Sequence, residues 1–358
     1  CSTIQQGILL GHIRNPAHYH NRIVWEVLDP PAARDIDRMR RAWAHVCRRH
    51  PMLRTFFVEA PAGNSSMALQ ITLKVSHFGP EDVDVLYEEP EQMPSTNPAL
   101  ASDQPLQWIP RLRIYEVTGN RLYCAIDIHH VQVDMISLGI IIRDLRRCYL
   151  DETEYVAAGD VSEPNSVSYT DYAQYLVASQ SAESLSYWRI RLAHTEPCIF
   201  PRLQQGPFEA ASSALCSVEL PLMPMADHLQ SFCKDTEVTV ATVFKLAWSL
   251  VLSAYTGSRC ACYGSVTAMR DVHLAGVEDL VGPLINTLPF CVELNPDERV
   301  MNVLRRVQNQ FLEELPHRQV SIAELQHSLK NSSGTLFNTT MSFVDSLDPA
   351  ANSQHPIR

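Results

Sequence analysis

No basic run longer than a pair such as Arg40-Arg41 or Arg48-Arg49 occurs in this sequence, and 40 Asp and Glu outnumber 29 Lys and Arg for a net charge of -11. The electrostatic footprint of a nucleic-acid binder is therefore missing. No apolar stretch reaches membrane-spanning length, so no membrane is expected as a partner. The opening "CSTIQQGILL" has neither the basic start nor the small-residue cleavage site of a signal peptide. Ten cysteines are present without a disulfide framework, and the close pair Cys260 and Cys262 suits neither zinc ligation nor a redox motif. They read as reduced core thiols of a cytoplasmic protein. Low-complexity segments and strict repeats are also missing. The lack of an initiator Met and the abrupt end "QHPIR" lead us to expect a piece of a larger polypeptide.

What is present is ordinary globular material, 46% hydrophobic and 19% charged, enough for one large core or two medium ones. Two lobes are expected, 1–165 and 166–358, divided in a polar, turn-rich stretch, with a connecting helix opening the second. Residues 34–48 put Ile36, Met39, Trp43 and Val46 on one helical face, and His50-Pro51 stops that helix. "MLRTFFVE" then reads as a strand with Arg54, Phe56 and Val58 on one side. "LRIYEV" and "RLYCAIDIHH", joined at Thr118-Gly119-Asn120, read as a hairpin. Ser137 to Leu150 has helical spacing, as do "TVATVFKLAWSLVLSAYTG" and "VMNVLRRVQNQFLEEL". "ALCSVELPL", "CACYGSVTA", "TLPFCVEL" and "LFNTTMSFV" read as strands. Helix and strand are mixed along the chain, so the fold class is α/β or α+β.

Chemistry concentrates in "IDIHHVQVDMISLG", Ile126 to Gly139, where a strand passes into a loop before a helix. Strand alternation turns His129 and His130 to opposite faces. One reading makes His129, His130 and Asp134 metal ligands, but adjacent strand histidines diverge and no further ligand cluster lies near, so no metal is expected. A second makes them satisfied polar residues in a sheet. The third makes His130 a base or positioning group and gives Asp134 a structural role paired with Arg54, since an arginine on an apolar face and an aspartate between apolar elements each require a counter-charge.

Seven stretches of the chain, taken in order, resemble the motifs of condensation domains of nonribosomal peptide synthetases. "HHVQVDMIS" looks like HHxxxDG, "CSTIQQGIL" like S/TxxQxG, "RRHPMLRTFF" like RHExLRTxF, "SYTDYAQYL" like YxDYA and "VGPLINTLPFCVEL" like VGxFVNTxxxR. "HRQVSIAELQ" and "LFNTTMSF" are similar to the last two. The match runs from Cys1 to about Val344 and is most similar to fungal synthetases. The resemblance implies two chloramphenicol-acetyltransferase-like lobes in a V-shaped pseudo-dimer around a tunnel, which Asn286 and Thr287 would help to line. It implies peptide-bond formation between a donor acyl or peptidyl thioester and an acceptor amine. Both would be delivered on the phosphopantetheine arms of carrier proteins, beside an adenylation domain, with no cofactor bound by the chain itself. His130 would promote attack, with His129, Asp134, Arg54, Met135 and Ser137 as its support.

Met135 stands where the family has glycine, and Cys291 where it has a basic residue. His317 and Gln319 are the best candidates for the sixth motif, and a second lobe incomplete at its C-terminus is expected. The alternatives to amide formation are release of a product by macrocyclisation and a docking module that binds carrier proteins without catalysis.

Overall fold

The computed structural model describes residues 1–16, 18–27, 36–61, 68–75, 109–117, 121–150, 167–201, 218, 220, 225–329 and 335–344. They form two compact units of mixed helix and sheet. The first comprises Cys1–Ser179 and Ala268–Ile285, the second Gln180–Thr267 and Asn286–Phe343. The boundary expected at 165/166 falls outside the described residues. The helix at Tyr169 packs with the first unit, and a later segment of the chain returns to it.

In the first unit, α1 (Thr3–Arg14) starts from a capping box in which the Ser2 side chain and Gln5 satisfy each other's backbone. It is followed by β1 (His20–Val27), α2 (Ile36–Arg49), β2 (Thr55–Glu59) and β3 (Ala68–Thr72), then β4 (Arg111–Val117), β5 (Arg121–His129), α3 (Met135–Leu150) and α4 (Tyr169–Ala178). Strands β1, β5 and β4 make an antiparallel sheet with β5 central, and β2 pairs with β3. The expected β4–β5 hairpin is present, its turn residues lying outside the described set. Trp25, Trp43, Ile126, Ile141 and Leu145 fill the core between sheet and helices, joined by Met269, Leu280 and Leu284 of the returning segment. Asp144 of α3 fastens the end of α2, accepting from His50 at 2.9 Å and meeting Arg49 at 3.2 Å.

Arg54 corrects the sequence reading. Pro51–Arg54 is a 3₁₀ turn and the strand begins only at Thr55, so Arg54 shares no strand face with Phe56. Its buried guanidinium donates to the carbonyls of Cys47 (2.8 Å), Arg48 (3.2 Å) and Leu73. Two of these belong to the last turn of α2, whose carbonyls have no partner inside the helix and attract a cation. A guanidinium has five N–H donors, three of which meet carbonyls here, and none of these partners is a carboxylate.

The second unit holds α5 (Ala182–Arg191), α6 (Ala226–Thr236), α7 (Val240–Thr256), β6 (Cys260–Ala268), β7 (Ile285–Glu293), α8 (Val300–Glu314), α9 (Ile322–Ser328) and β8 (Thr340–Ser342). Its sheet order is β7-β6-β8, with β6 and β8 parallel. Helix α7 ends as expected at Gly257, whose φ of 71° suits a residue without Cβ. The strand read in "ALCSVELPL" lies almost wholly outside the described residues. Among the described residues no single helix is long and apolar enough to cross a membrane.

Two buried charges lie inside this unit. Lys245 Nζ donates to Ser265 Oγ at 2.6 Å and lies 4.3 and 4.7 Å from the ring centres of Phe290 and Phe311. Burial lowers its pKa to about 8, opposed by Glu314. Glu314 accepts from Gln310 at 2.8 Å, and burial pushes it up to about 7 against Gln310, Arg191 and Lys245. A carboxyl group with a raised folded-state pKa contributes its full stability below its unfolded value and loses it as pH rises through the folded one. Lys245, lowered, contributes in full above its ordinary value and loses it as pH falls through about 8. The unfolding free energy of this unit is therefore expected to fall between pH 5 and 7, by up to about 3 kcal/mol. Urea unfolding of wild type and Glu314→Gln at pH 5 and 7.5 checks this: the variant should lose most of the slope, and an unchanged slope contradicts the assignment.

Candidate active site

Asp134 ends the loop after β5 and caps α3. Its carboxylate is buried, accepting from the Ser137 amide (2.7 Å) in the manner of an N-cap, from the Leu284 amide (3.0 Å) and from Arg270 Nη2 (2.9 and 3.2 Å). Arg270 also donates to Ser137 Oγ at 2.9 Å and through Nη1 to the Leu280 carbonyl at 2.7 Å. Ser137 Oγ in turn donates to the Gly282 carbonyl (2.8 Å) and accepts the Gly282 amide (3.0 Å). A Cβ on Gly282 would run into the ring of Tyr169, whose hydroxyl meets Ser2 Oγ at 2.9 Å.

The expected Arg54–Asp134 pair is therefore replaced by Arg270–Asp134. Sequence reasoning passed over Arg270, although it is the one Lys or Arg between Arg259 and Arg299. A lone cation at the end of an apolar strand was the signal that would have found it.

Strand β5 ends at His129, and His130 is the first residue of the turn. The His130 amide donates to the Tyr19 carbonyl at 2.7 Å, and its Nδ1 lies 2.6 Å from the Val133 carbonyl. A carbonyl only accepts, so Nδ1 carries the proton and, in the neutral ring, Nε2 carries the lone pair. The ring is half-buried, while Val131, Gln132, Val133 and Asp134 behind it are all buried. Gln5 Nε2 donates to the Val131 carbonyl at 3.1 Å and Gln132 Nε2 to the Thr55 carbonyl at 2.8 Å. The loop is thus tied to α1 and to β2.

His129 has a different setting. The β1–β5 register places it opposite His20, and His12 arrives from the last turn of α1. All three are buried, with ring centres 4.8 to 5.4 Å apart. Burial, then His20, His12 and His130, pushes His129 down to about 2. Burial and then His12 take His20 to about 4 against the pull of Asp127, and burial lowers His12 against a backbone hydrogen bond with His18. These imidazoles are neutral at pH 7. The sequence reading assigned His12 and His20 no role, because no spacing relates residues brought together by a helix and two strands.

Met135 opens α3 with no positive φ, so the backbone asks for no glycine there, and its side chain is 48% exposed. Asn286 and Thr287 belong to the second unit. There Asn286 Nδ2 donates to the carbonyls of Arg318 (2.7 Å) and Val320 (2.8 Å), and its Oδ1 takes the Thr287 amide (2.9 Å). Its amide group is thus engaged within that unit.

A family model described as "Condensation domain" matches residues 1–356. The chain is 32% identical over 345 residues to nonribosomal peptide synthetase atnA of Emericella nidulans, covering 96% of this chain and 4% of that protein. It is 34% identical over 346 residues to D-lysergyl-peptide-synthetase subunit 1 of Epichloe festucae var. lolii, covering 96% of this chain and 9% of that one. The chain thus spans under a tenth of these fungal relatives. Among solved structures, the first condensation domain of the CDA synthetase superposes with a TM-score of 0.71 at 17% identity, covering 98% of this chain and 83% of that one. The X-domain from teicoplanin biosynthesis gives 0.67 at 20% identity, covering 95% and 76%.

Replacing Arg270 by Met leaves Asp134 buried without its counter-charge and should cost about 3–5 kcal/mol. In the Asp134→Asn background the cost should shrink clearly, whereas Arg54→Met and Asp134→Asn should add to within about 0.5 kcal/mol. Denaturant unfolding of the two double-mutant cycles checks this; coupling in the Arg54 cycle alone would restore the sequence-based pairing.

Proposed function

The chain belongs to the condensation-domain family, and from that premise we propose that it joins a donor acyl or peptidyl thioester to an acceptor aminoacyl amine. Both substrates arrive on phosphopantetheine arms of carrier proteins. The setting is a cytoplasmic megasynthetase that also carries an adenylation domain. The observation that carries the reading is the state of His130: Nδ1–H is engaged by Val133, so Nε2 offers a lone pair from a half-buried ring on a pinned loop.

An α-amino group has a reference pKa near 8, so at neutral pH part of it is protonated and the reactive form must be held neutral. Nε2 accepts a hydrogen bond from the amine and takes its proton as the C–N bond forms. The C–S bond then breaks, and that proton ends on the departing phosphopantetheine thiol. The thioester is already activated, so no covalent enzyme intermediate is needed, and holding two tethered reactants together supplies much of the rate. His129, Asp134, Arg270 and Ser137 act by positioning the His130 loop. Arg54 acts further back, by fixing the end of α2 beside β2.

A second reading, a module that docks carrier proteins without catalysis, rests on Met135, an exposed side chain where the family has glycine. With aminoacyl-loaded donor and acceptor carrier proteins, His130→Ala should form product at least about 100-fold more slowly than wild type. Mass spectrometry of the carrier-bound species reads the outcome. Equal rates would remove His130 from the chemistry, and no product from wild type that still binds both loaded carriers would favour the docking module.

A further inference from the structure

Behind the His130 loop, three histidines form a buried cluster of potential metal ligands among the described residues. His12, His20 and His129 each present a ring nitrogen, and these three nitrogens lie within 4.8 Å of one another in the interior. The rings come from α1, β1 and β5, elements already fixed by the capping box and by the sheet register. Zinc–imidazole bonds of about 2.0–2.1 Å and tetrahedral angles place the ring centres of three ligands roughly 5 Å apart. Here they are 4.8, 5.2 and 5.4 Å apart, and the ring planes meet at 76 to 80°, so none stacks on another.

We propose that His12, His20 and His129 form a binding site for one divalent transition-metal ion of the zinc or cobalt class. Three neutral imidazoles suit those ions, and water takes the fourth position. The metal set weighed from sequence, and set aside there, was His129, His130 and Asp134. The structure separates that set, since Asp134 is held by Arg270 and His130 by Val133. One local cost is visible. Nδ1 of His129 accepts the Val131 amide at 3.1 Å, so whichever nitrogen binds the ion, that contact opens. The site should therefore hold metal more weakly than a dedicated structural zinc centre, and loading should raise hydrogen exchange at the Val131 amide.

Cobalt(II) titration of the chelator-treated chain tests this. One equivalent should bind with the intense visible bands of a tetrahedral ion, zinc should displace it, and His12→Gln and His20→Gln, folded by circular dichroism, should each weaken binding at least about tenfold. Should the variants fail to fold, X-ray absorption of the cobalt-loaded wild type supplies the ligand count, three imidazoles being expected. No stoichiometric binding, affinity undiminished in both variants, or fewer than three imidazole ligands would overturn the site and leave the cluster as neutral core packing.

Discussion

A carboxylate sealed from water must be met by donors or the fold forfeits several kcal/mol, and Asp134 is such a group. Its own helix supplies one donor, the Ser137 amide. The others come from Arg270 and the Leu284 amide, at least 136 residues further along the chain. Together with the apolar side chains of Met269, Leu280 and Leu284, these bonds hold residues 268–285 to the first unit although the sheet strands on either side of them belong mainly to the second. Once Arg270 is in place, Ser137 Oγ can satisfy both backbone groups of Gly282, and Gly282 must stay without a side chain because Tyr169 occupies the space. Each of these residues would be a costly buried polar group or an awkward packing choice alone. As a set they satisfy one another.

The same carboxylate fixes one end of the His130 loop. The other end is fixed by the sheet, where β1 and β5 run in register up to His20 and His129 and the His130 amide closes on the Tyr19 carbonyl. Tyr19 takes a positive φ of 70°, unusual for a residue with a side chain, and its ring sits where a Cβ on Gly11 would be. Between these anchors four consecutive residues, Val131 to Asp134, are buried, so His130 has little freedom beyond rotation of its ring. The Val133 carbonyl removes that freedom too. Adjacent histidines thus end in opposite conditions: His129 deep, with its pKa pushed down to about 2 by burial and its histidine neighbours, and His130 half-buried with one nitrogen committed.

Much of this was legible beforehand where local periodicity decides structure. The amphipathic α2, the β4–β5 hairpin, the apolar α7 with its glycine cap and the strand-loop-helix setting of His130 all follow from spacing over about ten residues. The ordered motifs carried the family. What sequence missed was long-range pairing. Arg54 was read as needing a carboxylate because burial of a guanidinium was judged by charge alone. In the structure the carbonyls of the last turn of α2 lie close enough to satisfy it, and the turn that brings Arg54 to them begins at Pro51. Asp134 was correctly read as needing a cation, but no rule of spacing selects Arg270 across so many residues. The His12–His20–His129 cluster was invisible for the same reason.

Where the structure spends its buried polar groups bears on how the proposed reaction gains its rate. A thioester meeting an amine needs no strong nucleophile from the protein and no charge sink comparable to a metal centre, so the chief requirement is a fixed geometry. Correct orientation of two reactants is worth about 7–11 kcal/mol of barrier, and a displacement of about 1 Å can cost about 100-fold in rate. A histidine on a mobile loop would supply the right chemistry at the wrong place. The hydrogen bonds made by Gln5, Gln132, the carbonyls of Tyr19 and Val133, and the Asp134 set all bear on the loop, and among the described residues only the one to Val133 touches the His130 ring. Most of the polar investment around this site therefore goes to holding the loop that carries His130 still.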